Sequence, residues 1–454
     1  MQQITHFFKR FNQALQPLWN RGMPPEVTIS LDVAWPLLFI PIALVNQLLT
    51  PHLAWMVLFI VLSGVYLLAL FWVRIQSPHI ELQRTQQGSI LVAGDSLSEE
   101  FVLHNHSRLP LLWAEIEDSS DLPGYQPGRV AGCDANNQSL WRTNAECRQR
   151  GVFRLGPHAI KLGDPFGIFS ARIRSDYSRN VLIYPRVVQL PKMPLPRGES
   201  AGSDRRRTPF AGVLPSASVR PHTTVDSLRF VHWRSTAHRG QLMVKELDQE
   251  PGGDVWIVPD LQAAVQSGEG EQSTLEMTII AAASLAAELL AGDERRAVGL
   301  LAVAGTGENA QTLVVAPQPG SGQLWRILTA LAPLKPTDRP LAETLHQQRA
   351  IFGRRRSLTV VAPINSDSEP QWLSALLNLR GLELSASVLG IVQPDMVSLQ
   401  GSLQAQLARY EIPTQLLAVG TRLRPLITFR RRRTELRSTP TGGVVRVDVE
   451  EEVG

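Results

Sequence analysis

Cysteine is almost missing: Cys133 and Cys147 are the only two in 454 residues. With no CxxC spacing and no paired histidines beside them, they build neither a zinc site nor a disulfide framework, and they read as reduced thiols of a cytoplasmic domain. Net charge is also slight. Lys and Arg number 45 against 41 Asp and Glu, a balance of +4, far below the density of a dedicated nucleic-acid binder, so no nucleic-acid partner is expected. The basic runs Arg205 to Arg207, Arg354 to Arg356 and Arg430 to Arg433 lack interleaved aromatics, so they read as solvated faces or contacts to anionic lipid rather than stacking platforms. A GxSxG nucleophile elbow is also missing.

With 44% hydrophobic and 19% charged residues, the composition suits a soluble, folded body of about three domains. One region departs from it. Val33 to Val73 carries no charge and is broken only by Thr50-Pro51-His52. Split at Pro51, it yields Val33 to Leu49 and Leu53 to Val73, each near the ~20 residues that cross a bilayer, so a transmembrane helical hairpin is expected. Pro36, Pro41, Asn46 and Gln47 weaken the first arm, while Trp35, Trp55 and Trp72 lie toward the arm ends, where indole favours the headgroup zone. No small-residue cleavage pattern follows either arm. Lys9, Arg10 and Arg21 precede the hairpin, Arg74 follows it, and the turn has no Lys or Arg. Both termini are therefore expected in the cytoplasm of a two-pass inner-membrane protein.

From Ile80 to Pro191, short alternating runs such as Phe101-Val102-Leu103 and Leu112 to Ile116, with turns at Asp121 to Gly124 and Gly151, read as a β-sandwich. Gly198 to Leu214 is small, polar and basic, which marks a linker. Past Gly252, apolar runs at Val255 to Val258, Ala297 to Val303, Leu358 to Val361, Leu382 to Leu389 and Gln415 to Val419 alternate with amphipathic stretches such as Leu275 to Leu290. That is the rhythm of a doubly wound α/β domain. The expected α+β multidomain division runs 1–30 (cytoplasmic segment), 31–74 (two transmembrane helices), 78–195 (β-sandwich-like), 196–250 (linker with a distinctive polar segment), 251–427 (α/β) and 428–454 (disordered tail).

The polar segment, Val225 to Glu246, crowds Asp226, Arg229, His232, Arg234, His238, Arg239, Lys245 and Glu246 around Trp233. Guanidinium groups can pair with carboxylates and stack on a ring at once, so the segment reads either as an ion-pair clasp or as a surface for a phosphate, peptide or protein partner. Gly305 to Ala310 resembles a GxGxxA phosphate loop, but Gln311 to Val315 reads as another strand, so a hairpin turn is expected there.

The same segment resembles the signature of the domain of unknown function 58 family, bacterial membrane proteins. The matching positions are Asp226, Arg229, Trp233, Arg234, Ala237, Gly240, Leu242, Val244, Lys245 and Glu246. Arg150 to Pro157, Asp164-Pro165-Phe166-Gly167-Ile168-Phe169 and Tyr184-Pro185-Arg186 are similar to further family features. Departures are Arg220-Pro221-His222 where members often carry Arg-Glu-Tyr, and Val225-Asp226 where they carry Gly-Asp. The resemblance implies a von Willebrand factor A-like α/β domain, a binding surface formed by Asp226, Arg229, Trp233, Arg234, Arg239, Gly240, Lys245 and Glu246, and no settled activity. As partners, besides the lipid bilayer, it implies a MoxR-type AAA+ ATPase and other A-domain or transglutaminase-like membrane proteins.

An A-type metal site needs Asp-x-Ser-x-Ser, where a carboxylate and two hydroxyls supply hard ligands to Mg²⁺. Here the positions hold Asp260, Gln262 and Ala264, a degenerate set, so no metal and no cofactor are expected. The expected function is a non-enzymatic, membrane-anchored interaction or scaffold protein. The alternatives are a hydrolase or nuclease using the Asp226 to Glu246 cluster, and a metal-dependent adhesion module.

Overall fold

A computed structural model describes residues 15–87, 90–191, 213–221, 231–249, 254–291, 296–307, 310–353, 356–365, 370–380, 384–394, 396, 400–426, 430–438 and 444–452. The chain forms two compact units, Met1–Arg148 with Val152–Ile183, and Gln149–Gly151 with Tyr184–Gly454.

The first unit is antiparallel β with apolar helices. Its strands are β1 (Val27–Leu31), β2 (Ile80–Gln87), β3 (Leu91–Val92), β4 (Ser96–Asn105), β5 (Leu111–Asp118), β6 (Arg129–Cys133), β7 (Asn137–Glu146), β8 (Gly151–Leu155), β9 (His158–Gly163), β10 (Phe169–Ser175) and β11 (Arg179–Tyr184). They make three sheets, ordered β1-β10-β9-β5-β6, β3-β11-β8 and β2-β4-β7. β4 shows why these segments are strands: Leu97, Phe101 and Leu103 are buried while their neighbours face outward, the period of two that a pleated ribbon imposes. β1 is a correction, since residues 1–30 were expected to lie outside the β domain. Its alternating Val27, Ile29 and Leu31 are buried against β10, and the pairing runs from Val27↔Ile173 to Leu31↔Phe169. Cys133 is a buried thiol outside any disulfide, which burial pushes up, and Cys147 is buried as well.

Helices α1 (Phe39–Leu49) and α2 (Leu53–Gln76) flank Thr50-Pro51-His52, and His52 Nδ1 accepts from Ala54 N–H at 3.2 Å as the N-cap of α2. The first arm is shorter than expected. Trp35–Leu38, with Pro36 in its first turn, is 3₁₀, and only 11 residues of regular helix follow. Among the described residues two helices are long and apolar enough to cross a membrane, Leu53–His79 with mean hydropathy 2.6 and Thr274–Ala291 with 1.5. They differ in burial, 17% of the first apolar window against 67% of the second. The second is therefore the core helix of the α/β unit. The end of α2 is tied to the β core: Tyr66, Ala69 and Val73 pack with Ile29, Leu31 and Phe169, and Tyr66 OH donates to Val33 O at 2.8 Å.

In the second unit, β12 (Val213–Pro221) and β13 (Met243–Gln249) pair antiparallel on either side of α3 (Trp233–Arg239). The stretch read as a linker thus carries regular structure at β12, α3 and β13, because β12 finds in β13 a partner about 25 residues away, while residues 196–212, 222–230 and 250 of that reading lie outside the described ones.

The main sheet holds β14 (Val255–Pro259), β15 (Val298–Ala304), β16 (Gln311–Gln318), β17 (Ser357–Pro363), β18 (Ser385–Val392) and β19 (Thr414–Ala418), in the order β16-β15-β14-β17-β18-β19. All neighbours are parallel except β16, which runs antiparallel to β15 across the connection expected to be a hairpin turn. Apolar packing covers both faces. Val255 and Ile257 join α4 (Thr274–Ala291) and α5 (Ser321–Leu331) on one side, and Trp256 and Val258 join α6 (Leu341–Gln347) and α8 (Gln371–Arg380) on the other. Between α6 and α8 lies the single turn α7 (Arg349–Phe352), and α9 (Gln400–Arg409) precedes β19. Every residue of β14 and β17 is buried, which is why they read as continuous apolar runs.

The tail is a second correction. Residues expected to be disordered form β20 (Arg430–Ser438) and β21 (Val444–Glu452), paired antiparallel. The register sets Arg430, Arg431 and Arg432 against Glu452, Glu451 and Glu450.

Candidate functional site

Two places in the second unit hold the residues singled out in the sequence. The first is α3, a seven-residue helix closed at both ends. His232 is the N-cap, its Nδ1 accepting from Ser235 N–H at 3.2 Å, and Gly240 ends the helix in the left-handed region at φ 66° with its N–H bonded to Thr236 O. The helix is fastened at its base to β13: His232 N–H donates to Met243 O at 2.8 Å, Met243 N–H donates to Thr236 Oγ1 at 3.0 Å, and Val231 and Met243 are buried.

The outer side is open. Trp233 is 69% exposed, and Arg234, His238 and Arg239 are exposed as well. Arg234 and Arg239 make no ion pair among the described residues and the Trp233 ring is exposed; the clasp's other charged members, Asp226, Arg229 and the side chains of Lys245 and Glu246, are not among those described. The reason is local geometry. A helix of two turns fixed by its caps and by β13 has only one side to bury, and Val231 with Met243 already fills that side. Gly240 is placed as the left-handed C-cap. Lys245 and Glu246 lie on β13, with Lys245 opposite Val219, and Asp226 and Arg229 lie outside the described residues. His232 and Ser235, suggestive as a base and nucleophile, are used in capping, with Nδ1 and Oγ 2.8 Å apart.

The second place is a cavity of about 330 Å³ at the carboxyl ends of β14 and β17. The chain leaves β14 toward β15 on one side and returns to β17 on the other, so the crevice lies where the strand order reverses, the position open α/β sheets use for ligands. Asp260, Gln262 and Ala264 line it, together with Asn365 and Trp372 from the β17 side. Asp260 is 3% exposed, and burial pushes its carboxyl up to about 6, against the opposing effect of the Gln262 N–H that donates to Oδ1 at 3.1 Å. Ala263 N–H donates to Thr337 O at 2.7 Å and Thr337 N–H to Leu261 O at 2.8 Å, which pins the loop after β14. Asn365 Nδ2 donates to Val265 O, while its Oδ1 is buried without a partner. Among the described residues no three His, Cys, Asp or Glu side chains gather as a metal site would need. Sequence reasoning reached Asp260, Gln262 and Ala264 but not Asn365 or Trp372, which sit about 100 residues away with no spacing signal to join them.

The family described as "Protein of unknown function DUF58" matches residues 218–381, from within β12 to the end of α8. The match covers about a third of the chain, so the DUF58 likeness is shown for this segment. Its DUF58 segment therefore contains both α3 and the cavity. No curated protein matches the chain. Among solved structures it is similar to the CARDB domain of a Pyrococcus furiosus protein (9% identity, 23% of this chain and 89% of that one, TM-score 0.18). It is also similar to a PapD-like domain of a human protein (10% identity, 23% and 84%, TM-score 0.15). A Bacteroides uniformis β-glucuronidase matches at 9% identity over 73% of this chain and 39% of that one, with a TM-score of 0.18. Similarity at this level fixes neither fold nor function.

Proposed function

We propose that this DUF58 protein is a membrane-anchored, non-enzymatic interaction protein whose α3 helix is a contact surface for a partner protein. The observation that carries the reading is the exposure of Trp233 on a rigid, doubly capped helix with Arg234 and Arg239 also exposed. A large aromatic and planar guanidinium groups held open to solvent are the side chains that dominate protein–protein hot spots.

The anchor is a helical hairpin of α1 and α2 in the inner membrane. What supports it is the exposed apolar surface of α2, with Leu53 at 69%, Ile60 at 56% and Leu67 at 67%. Arg21 and Arg74 on the flanks, with Lys9 and Arg10 outside the described residues, support a cytoplasmic position for the β-sandwich-like and α/β domains. Strand order and helices on both faces favour the doubly wound, von Willebrand factor A-like reading of the α/β domain. The partners proposed are a MoxR-type AAA+ ATPase and other A-domain or transglutaminase-like membrane proteins.

Purification of the tagged full chain from detergent-solubilised membranes, followed by mass spectrometry, tests the reading. An AAA+ ATPase recovered with the parent chain and lost with Trp233→Ala or Arg234→Ala supports it. Equal recovery with both variants removes α3 as the contact.

A further inference from the structure

Among the described residues, the crevice at the ends of β14 and β17 offers acceptors and no counter-charge. Asp260 is buried, and its Oδ1 takes the Gln262 N–H while Oδ2 accepts no hydrogen bond from the described residues. Asn365 Oδ1 is a second buried acceptor without a partner. Among the described residues no Lys, Arg or His lines the cavity; its walls mix polar side chains, Gln262 and Gln371 among them, with apolar ones, Leu341, Pro363, Ile364 and Trp372.

A bare divalent cation fits this poorly. Mg²⁺ or Ca²⁺ takes six or more oxygens in a tight shell, whereas Asp260 is the one carboxylate among the described residues lining the cavity and Ala264 contributes no ligand. The volume is also large for an ion. A guanidinium group fits better: it carries donors in a planar fork for a carboxylate and an amide oxygen, its methylene stem suits apolar walls, and it stacks on indole. A buried carboxylate without a counter-charge is costly, and an entering cation offsets that cost.

We propose that this cavity receives the arginine side chain of a partner protein, its guanidinium held by Asp260 and Asn365 beside Trp372. The site is separate from α3 and independent of the membrane reading, so it stands or falls on its own measurement.

Calorimetry on the detergent-purified full chain, with three probes, tests it: a blocked Gly-Arg-Gly peptide, agmatine and MgCl₂. The peptide is expected to bind saturably, at least as tightly as agmatine, and Mg²⁺ to give no binding. Asp260→Asn, which keeps an acceptor for Gln262 N–H, is expected to weaken the peptide at least about tenfold, and Asn365→Ala to weaken it too, with unchanged circular dichroism in both. Peptide binding that is undetectable, or equal in parent and Asp260→Asn, would overturn the proposal. So would Mg²⁺ binding lost in Asp260→Asn, which assigns a metal site, or agmatine binding much tighter than the peptide, which assigns a small-molecule site.

Discussion

Arg84 holds Asp118 from the centre of the β unit, Nη1 to Oδ2 at 2.6 Å, with both side chains under 5% exposed. The other terminal nitrogen of Arg84 reaches Glu99 at 2.8 Å, Tyr125 OH donates to the same Glu99 oxygen, and the guanidinium carbon lies 5.1 Å from the centre of the Phe101 ring. One cation thus serves two buried carboxylates. Burial, and then the bond to Glu99, raises the Tyr125 phenol far above its ordinary value, so it stays a donor across the working pH range.

Arg84→Ala leaves two buried carboxylates facing each other and is expected to cost about 3–5 kcal/mol. Hydrogen exchange across Phe101 to Leu103 should accelerate correspondingly while β14 to β17 keep their protection. Unchanged exchange in β4 would show that the network is not structural.

Asp260 predicts a pH dependence in the α/β unit. Its folded pKa lies above the ordinary value, so the neutral form is favoured by folding. Its contribution to stability is full below about 3.8 and is lost as pH rises to about 6 and beyond, a loss of about 3 kcal/mol. Asp260→Asn should therefore raise the stability of this unit at pH 7 and flatten its dependence between pH 4 and 6. A variant less stable than the parent at pH 7 would contradict the burial argument.

A charge on the free side of α2 should block anchoring. Val61 is 53% exposed near the middle of the apolar helix, and Val61→Arg is expected to cost about 2.5–3.5 kcal/mol of insertion. Carbonate extraction of membranes should release more of this variant than of the parent. The same substitution at Ala283, buried in α4, should abolish folding without changing membrane attachment, because that helix belongs to the core.

Trp233→Ala should change stability by no more than about 0.5 kcal/mol, as expected for a side chain in solvent. A loss of several kcal/mol, appropriate to a buried aromatic, would restore the clasp. Gly240→Ala should cost about 1–2 kcal/mol, since a Cβ at φ 66° strains the backbone although nothing within 4 Å opposes it. Thermal unfolding of the full chain, followed at both substitutions, distinguishes the two effects.

Elements governed by local patterning were legible in the chain. The uncharged run ending at Val73 marks α2, alternation marks β4, and apolar runs mark β14, β17 and β18, because burial on one face, two faces or in lipid each imposes its own period on neighbouring residues. The signature segment was legible as a motif, but the left-handed cap that Gly240 makes was not. What tertiary structure alone decided involves partners far apart in sequence. β1 became part of the β core because β10, some 140 residues on, offers it an edge, and the tail formed a ribbon because its two segments pair with each other. Trp233 could have been a core residue or a surface one on composition alone; its exposure follows from which side of α3 Met243 covers. The crevice is the clearest case. Asp260 was readable in sequence as part of a degenerate metal-site pattern, but Asn365 and Trp372 reach it only through the crossover that brings β17 beside β14, and side-chain chemistry at that distance leaves no period to read.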